Sequence, residues 1–181
     1  MIKKLTILRH AKSGWDDPVA RDFDRPLNKR GEKAARLMGR WMKNESLVFD
    51  HVIASPAVRV IETLDHVAAG YGQRIEAIWE RRVYLASSAT LMDVLRELPD
   101  TIASVLMVGH NPGLEDLVLD LVPADIGGEL RASVYEKFPT AAIAEMELDI
   151  ASWAAMERGA GALSRFVRPR DLDPELGPED E

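Results

Sequence analysis

Segments rich in β-branched and aliphatic side chains alternate along the chain with segments whose apolar residues recur every three or four positions. This is the pattern of an α/β fold in which helices cover a largely parallel sheet. A first strand is predicted over 5–8 (Leu5-Thr6-Ile7-Leu8), followed by a loop from Ala11 to Pro26. Asn28 is suited to cap a helix, whose apolar face reads Ala34, Leu37, Met38, Trp41 and Met42. A second strand over 51–54 runs into Ser55-Pro56, where a capping residue and a proline open a helix. That helix continues through Val60, Ile61, Leu64 and Val67 to a stop at Gly70-Tyr71-Gly72. A short strand over 75–78, a helix over 89–98 closed by Pro99, and a core strand over 105–108 come next. Pro112 opens a helix through Leu114, Leu117, Val118 and Leu121, and the last strands are predicted over 142–148 and 163–167. No internal repeat is visible.

With 181 residues, 46% of them hydrophobic, the chain can bury one sizeable core. The expected organisation is a single domain over 1–168 and an acidic, Pro-containing tail over 169–181 with the composition of a disordered segment. No apolar run approaches bilayer length, and the opening MIKKLTILRH has no signal-peptide core, so a soluble, cytoplasmic protein is expected. Cysteine is absent, which removes disulfides, thiolate catalysis and Cys-based metal sites and leaves His, Ser, carboxylates and bases to carry any chemistry. The net charge of −7 is concentrated at the end of the chain: 169–181 holds six acids and one Arg, leaving 22 basic against 24 acidic residues in the body. There is no Lys/Arg-rich block and no aromatic stripe interleaved with bases, so nucleic-acid binding has no support.

Three segments share one arrangement, a buried strand followed at once by reactive side chains: Leu8-Arg9-His10, Ala54-Ser55-Pro56-Ala57-Val58-Arg59, and Val108-Gly109-His110. Ligands of open α/β sheets bind beyond the carboxyl ends of the strands, so these segments are expected to converge on one crevice. Two arginines present forked donors that match phosphate oxygens, and helix starts after Pro56 and Pro112 add backbone N–H groups. The expected ligand is an anion, a phosphoryl group above all. A neutral imidazole accepts a phosphoryl group when one ring nitrogen faces phosphorus and the other is tied to an acceptor. Two arginines and a second, protonated histidine would then neutralise the equatorial oxygens without a metal ion or other cofactor.

These residues also resemble a family. Arg9-His10-Ala11 resembles the Arg-His-Gly signature of the histidine phosphatase superfamily, Ser55 to Thr63 its second signature, and Gly109-His110-Asn111 its third. Arg25-Pro26-Leu27-Asn28 and Gly31 look like the SixA-type branch, and the resemblance covers residues 1–167. It implies a three-layer α/β/α fold with a mostly parallel central sheet, phosphoglycerate mutase-like, and His10 as the phosphorylated nucleophile. Arg9, Arg59 and His110 would hold the phosphate, and the implied substrate is a phosphohistidine on a protein, such as a phosphotransfer domain or a phosphocarrier. Only 50 residues separate Arg59 from His110, too few for a large helical lid beside the elements already placed there. An open site suits a phosphorylated side chain on a macromolecule.

Some positions depart from that pattern. Ala11 stands where the signature has Gly, and Lys12 and Asp16 stand where mutase-like branches carry an acid and an asparagine. Lys12 would add positive charge to the crevice, whereas Asp16 would repel phosphate unless turned away. Glu80 is nearest to the family's proton donor, although Glu80-Arg81-Arg82-Val83-Tyr84 does not align with its pattern. A phosphohistidine is a comparatively good leaving group, which lessens the need for an acid. Arg25 is a second candidate substrate contact, against the simpler reading of a loop residue in a local salt bridge. His51 and His66 read as structural, Trp41 and its methionines as core, and Glu62, Glu115 and Asp116 as solvated or helix-start acids. The alternatives are a phosphatase of small phosphate esters using the same His10 chemistry, and a phosphate-binding module without turnover. A two-His metal site is disfavoured because the arginines would repel a cation.

Overall fold

The computed structural model describes residues 2–15 and 21–177. Six strands form one sheet: β1 (Ile2–Arg9), β2 (His51–Ala54), β3 (Ile78–Trp79), β4 (Ser104–Gly109), β5 (Ile143–Asp149) and β6 (Gly161–Val167), in the order β3-β2-β4-β1-β5-β6. The first four are mutually parallel; on the β1 edge β5 runs antiparallel to β1, and β6 antiparallel to β5. The helices are α1 (Lys29–Asn44), α2 (Val58–Tyr71), α3 (Ser88–Arg96), α4 (Gly113–Leu121), α5 (Gly128–Glu136) and the single turn α6 (Pro169–Leu172).

Strand alternation explains the three layers, since successive side chains point to opposite faces. Leu5, Ile7, Val105 and Met107 face a core shared with α3, α4 and α5. Leu8, Leu106, Val108 and Ala54 face the core under α1 and α2. The α1–α2 contact is close: a Cβ at Gly39 would stand 2.1 Å from the Val67 carbonyl oxygen, and one at Gly70 would stand 2.0 Å from that of Arg36. No large helical lid lies between α2 and β4, as the short spacing predicts. Among the described residues no helix is long and apolar enough to cross a membrane.

Several elements differ from the sequence pattern. The third strand shrinks to Ile78–Trp79, an exposed edge pair that buries neither side chain and so leaves little periodic signal. The pattern predicts no helix over 128–136, where α5 forms; it buries only Val134, which is too little to mark an apolar face. Residues 169–177 are not disordered. They fold as α6 and a 3₁₀ turn at Pro174–Leu176, with Leu176 packed on the α1–α2 core and Arg30 Nη2 donating to the Gly177 carbonyl at 2.6 Å. The final four residues, and Asp16 in the first long loop, lie outside the described residues.

Candidate active site

The central parallel strands deliver the reactive residues to one end of the sheet. β1 pairs with β4 through Arg9 and Gly109, and the His10 N–H continues the ladder by donating to the Gly109 carbonyl at 3.0 Å. His10 and His110 therefore emerge side by side, their ring centroids 5.3 Å apart. β2 pairs with β4 through Ala54 and Val108, which brings Ser55 and the α2 start against His110. A cavity of about 520 Å³ opens over this edge, lined by Arg9, His10, Lys12, Arg25, Arg59 and His110, together with Asp22 and others.

Backbone contacts fix the orientation of the His10 ring. Nδ1 lies 2.7 Å from the Ala11 carbonyl, an acceptor, so Nδ1 carries the proton and Nε2 keeps its lone pair. Burial pushes the imidazole well below its ordinary pKa of 6.5, the Ala11 carbonyl opposes that shift in part, and Arg9 adds to it. The Ala11 methyl that replaces the signature glycine is fully buried and does not line the cavity. Its N–H donates to Thr63 Oγ1 at 2.9 Å, and Thr63 in turn donates to the Arg59 carbonyl at 2.6 Å. The residue after His10 is thus tied to the helix that carries Arg59. Gly31 completes the support: a Cβ there would stand 2.1 Å from the Lys12 carbonyl oxygen, so α1 packs against this backbone only with glycine.

His110 differs from the sequence expectation of a cation. Arg59 Nη2 donates to its Nδ1 at 3.2 Å, which leaves the proton on Nε2 to donate to Ser55 Oγ at 2.8 Å. Burial, with the Arg59 charge second, pulls its pKa down to about 3, so both imidazoles of the site are neutral at neutral pH. Positive charge comes from the arginines. Arg59 is 2% exposed, and its buried Nε–H has no acceptor among the described residues. Arg9 is anchored through Nη1 on the Phe138 carbonyl at 3.0 Å, which also accepts from Asn111 Nδ2 at 2.9 Å.

Asp22 is the site residue that sequence reasoning missed. Its backbone carbonyl accepts from Arg59 Nη1 at 2.7 Å, and its carboxylate accepts from Arg59 Nη2 at 3.0 Å, from Arg25 Nη2 at 3.0 Å and from Tyr84. Partial burial pushes this carboxyl up, but the hydrogen bonds from Tyr84, Arg59 and Arg25 outweigh it and hold the pKa at about 2. Arg25 also donates to Ser13 Oγ at 2.6 Å and stacks on Trp15 at 3.6 Å; it makes the local salt bridge of the simpler reading, and it lines the cavity. The available signal for Asp22 was its place three residues before Arg25.

Glu80 is not brought into this group. Its carboxylate accepts from Arg82 Nε and Nη2 at 3.0 and 3.1 Å, and those hydrogen bonds lower its pKa. It is absent from the cavity lining. Lys12 lines the cavity edge. His51 and His66 lie elsewhere, His51 at the start of β2 and His66 on α2, 4.0 Å from Glu32.

Comparisons with known proteins agree with this geometry. A family model described as "Histidine phosphatase superfamily (branch 1)" matches residues 5–82. An uncharacterized protein of Mycobacterium tuberculosis is 36% identical over 166 residues, covering 90% of this chain and all of that protein. The phosphohistidine phosphatase SixA of Escherichia coli is 29% identical over 180 residues, covering 92% of this chain and 94% of that one. A solved structure of the protein histidine phosphatase SixA complexed with tungstate is 28% identical, with a TM-score of 0.76 over 94% of this chain and 99% of its own.

Proposed function

The chain belongs to the histidine phosphatase superfamily, in its SixA-type branch, and is a phosphatase of that superfamily; from this premise we propose that it hydrolyses its substrate through a covalent phosphohistidine on His10, with a protein phosphohistidine as the phosphoryl donor. The observation that carries the reading is the fixed neutral His10 ring, its Nδ1–H tied to Ala11, beside Arg9, Arg59 and His110 on one cavity wall.

In the first step the Nε2 lone pair of His10 attacks phosphorus as the bond to the leaving group breaks, and the leaving group takes its proton from solvent. Phosphoryl transfer is governed by alignment and by charge on the equatorial oxygens. Arg9 and Arg59 supply guanidinium donors, and His110 contributes a ring held in one tautomer by Arg59 and Ser55. A water molecule then attacks the phosphohistidine, releasing inorganic phosphate and returning His10 to its neutral form.

The leaving group favours a phosphoramidate over an alkyl ester. Among the described residues the one carboxyl lining the cavity is that of Asp22, which is ionised at neutral pH and has no proton to give. An imidazole leaves phosphorus far more readily than an alkoxide does without an acid. The small-ester reading remains the alternative. Turnover measured on a phosphohistidine protein and on a panel of alkyl and aryl phosphate esters separates the two. Efficient hydrolysis of the phosphohistidine with poor alkyl-ester turnover is expected, and exclusive ester activity would overturn the substrate assignment.

A further inference from the structure

Arg9, Arg59 and His110 share their cavity with an ionised carboxylate, that of Asp22. An acid is an unexpected neighbour for a phosphoryl group, because like charges repel across a few ångströms. It is nevertheless built in, since donors from separate parts of the chain converge on it. Arg25 gives Nε and Nη2 to Oδ1 at 3.2 and 3.0 Å. Arg59 on α2 gives Nη2 to Oδ2 at 3.0 Å, and the hydroxyl of Tyr84, just after β3, donates to the same oxygen. These bonds take up the acceptor sites of both carboxylate oxygens.

The same arrangement engages donors that a phosphoryl group would call on. Arg59 Nη2 serves both Asp22 Oδ2 and His110 Nδ1, and Arg59 Nη1 donates to the Asp22 carbonyl at 2.7 Å. Arg25 turns its Nη1 to Ser13 Oγ. Both arginines are buried, so their guanidinium groups stay beside the carboxylate. A phosphoryl oxygen that accepts from Arg59 Nη2, or from Arg25 Nε or Nη2, takes those bonds from Asp22. Its affinity is then the difference between two sets of charge-assisted bonds, where a site without the acid would supply the whole of one. We propose that Asp22 is an internal competitor for the arginine donors, a carboxylate that yields them to the phosphoryl group of the substrate and takes them back as inorganic phosphate leaves. This role rests on the reading of the cavity as the phosphoryl site, and it deepens that reading by naming the group that sets the release of product. Tight binding of product adds nothing to the chemical step and slows the next turnover.

Asp22→Asn in the full chain removes the charge and keeps both the backbone carbonyl that holds Arg59 Nη1 and an amide oxygen in place of one carboxylate oxygen. Binding of inorganic phosphate is measured by isothermal titration calorimetry, and hydrolysis of p-nitrophenyl phosphate is followed alongside. The variant should bind phosphate about tenfold more tightly than the wild type, the effect of taking one like charge from the edge of the site. Its kcat and KM should fall together as release becomes slow. A second measurement needs no variant: in the wild type the ¹³C resonance of the Asp22 carboxyl carbon should move as phosphate is added, because its hydrogen bonds pass to the ligand. Weaker phosphate binding by Asp22→Asn, the mark of a residue that only positions the arginines, would overturn the competition. So would equal binding, no measurable binding by either protein, or a carboxyl resonance that phosphate leaves in place. If the variant binds phosphate more tightly but no phosphoryl donor is turned over through His10, the catalytic reading falls and the competition stands. Turnover through His10 with unchanged phosphate affinity gives the reverse.

Discussion

Arg59 does several things at once at the scale of a single residue. It donates to His110, it is held by Asp22, and its buried Nε–H faces no protein acceptor among the described residues. Removing a main electrostatic donor from such a site costs about 10²–10³ in rate, roughly 3–4 kcal/mol. Arg59→Ala should therefore lower kcat/KM on any phosphoryl donor by that order, read by steady-state kinetics; a loss under about tenfold would remove Arg59 from the machinery. Asp22 calls for a different measurement. Its carboxylate meets two guanidinium groups that are 2% and 8% exposed, so Asp22→Asn leaves both largely buried and under-compensated. A loss on the order of 1–3 kcal/mol in stability is expected. Because an anion in the cavity would replace that charge, inorganic phosphate should raise the Tm of Asp22→Asn more than that of the wild type. Equal shifts would mean that the carboxylate and the phosphate do not share these donors.

At the scale of elements, the site depends on strands ending in register and on helices packed close behind them. Gly31 is the most constrained contact near His10, because any side chain there overlaps the Lys12 carbonyl. Gly31→Ala should push α1 away from the segment after His10, costing about 1–3 kcal/mol in a urea titration and lowering kcat/KM as well. Unchanged stability and turnover would contradict that coupling. The same elements show what could be read in advance. β1, β2 and β4 are buried on both faces, so their apolar runs and the words that follow them were visible in the sequence, and Arg9, His10, Arg59 and His110 came with them. Asp22 was harder to single out, because its contacts in the site span 37 residues to Arg59 and 62 to Tyr84. The neutrality of His110 was hidden for a related reason: the Arg59 donor that decides its tautomer lies 51 residues away. α5 and the two-residue β3 bury too little to produce a period.

Across the whole molecule, the charge states set how stability responds to acid. His10 and His110 are neutral when folded, with pKa values below the ordinary 6.5, so below pH 6.5 the unfolded chain binds protons that the folded chain refuses. Stability should fall as pH drops through 6.5 and continue to fall towards about 3, where His110 itself becomes protonated. Asp22 adds stability that is present above its unfolded value of 3.8 and is lost as pH falls to about 2. Denaturant midpoints recorded from neutral to acid pH should show this decline, and His110→Gln should have a shallower slope than the wild type; an identical slope would remove His110 from the account. The central claim, however, is chemical. Brief reaction with a phosphoryl donor, followed by a quench at alkaline pH, where phosphohistidine survives, allows the peptide containing His10 to be weighed and fragmented. A transient phosphate on His10 that is lost on acidification and does not form in His10→Ala is expected; rapid turnover with no phosphate ever detected on that ring, or turnover that persists in His10→Ala, would overturn the role of His10 as nucleophile.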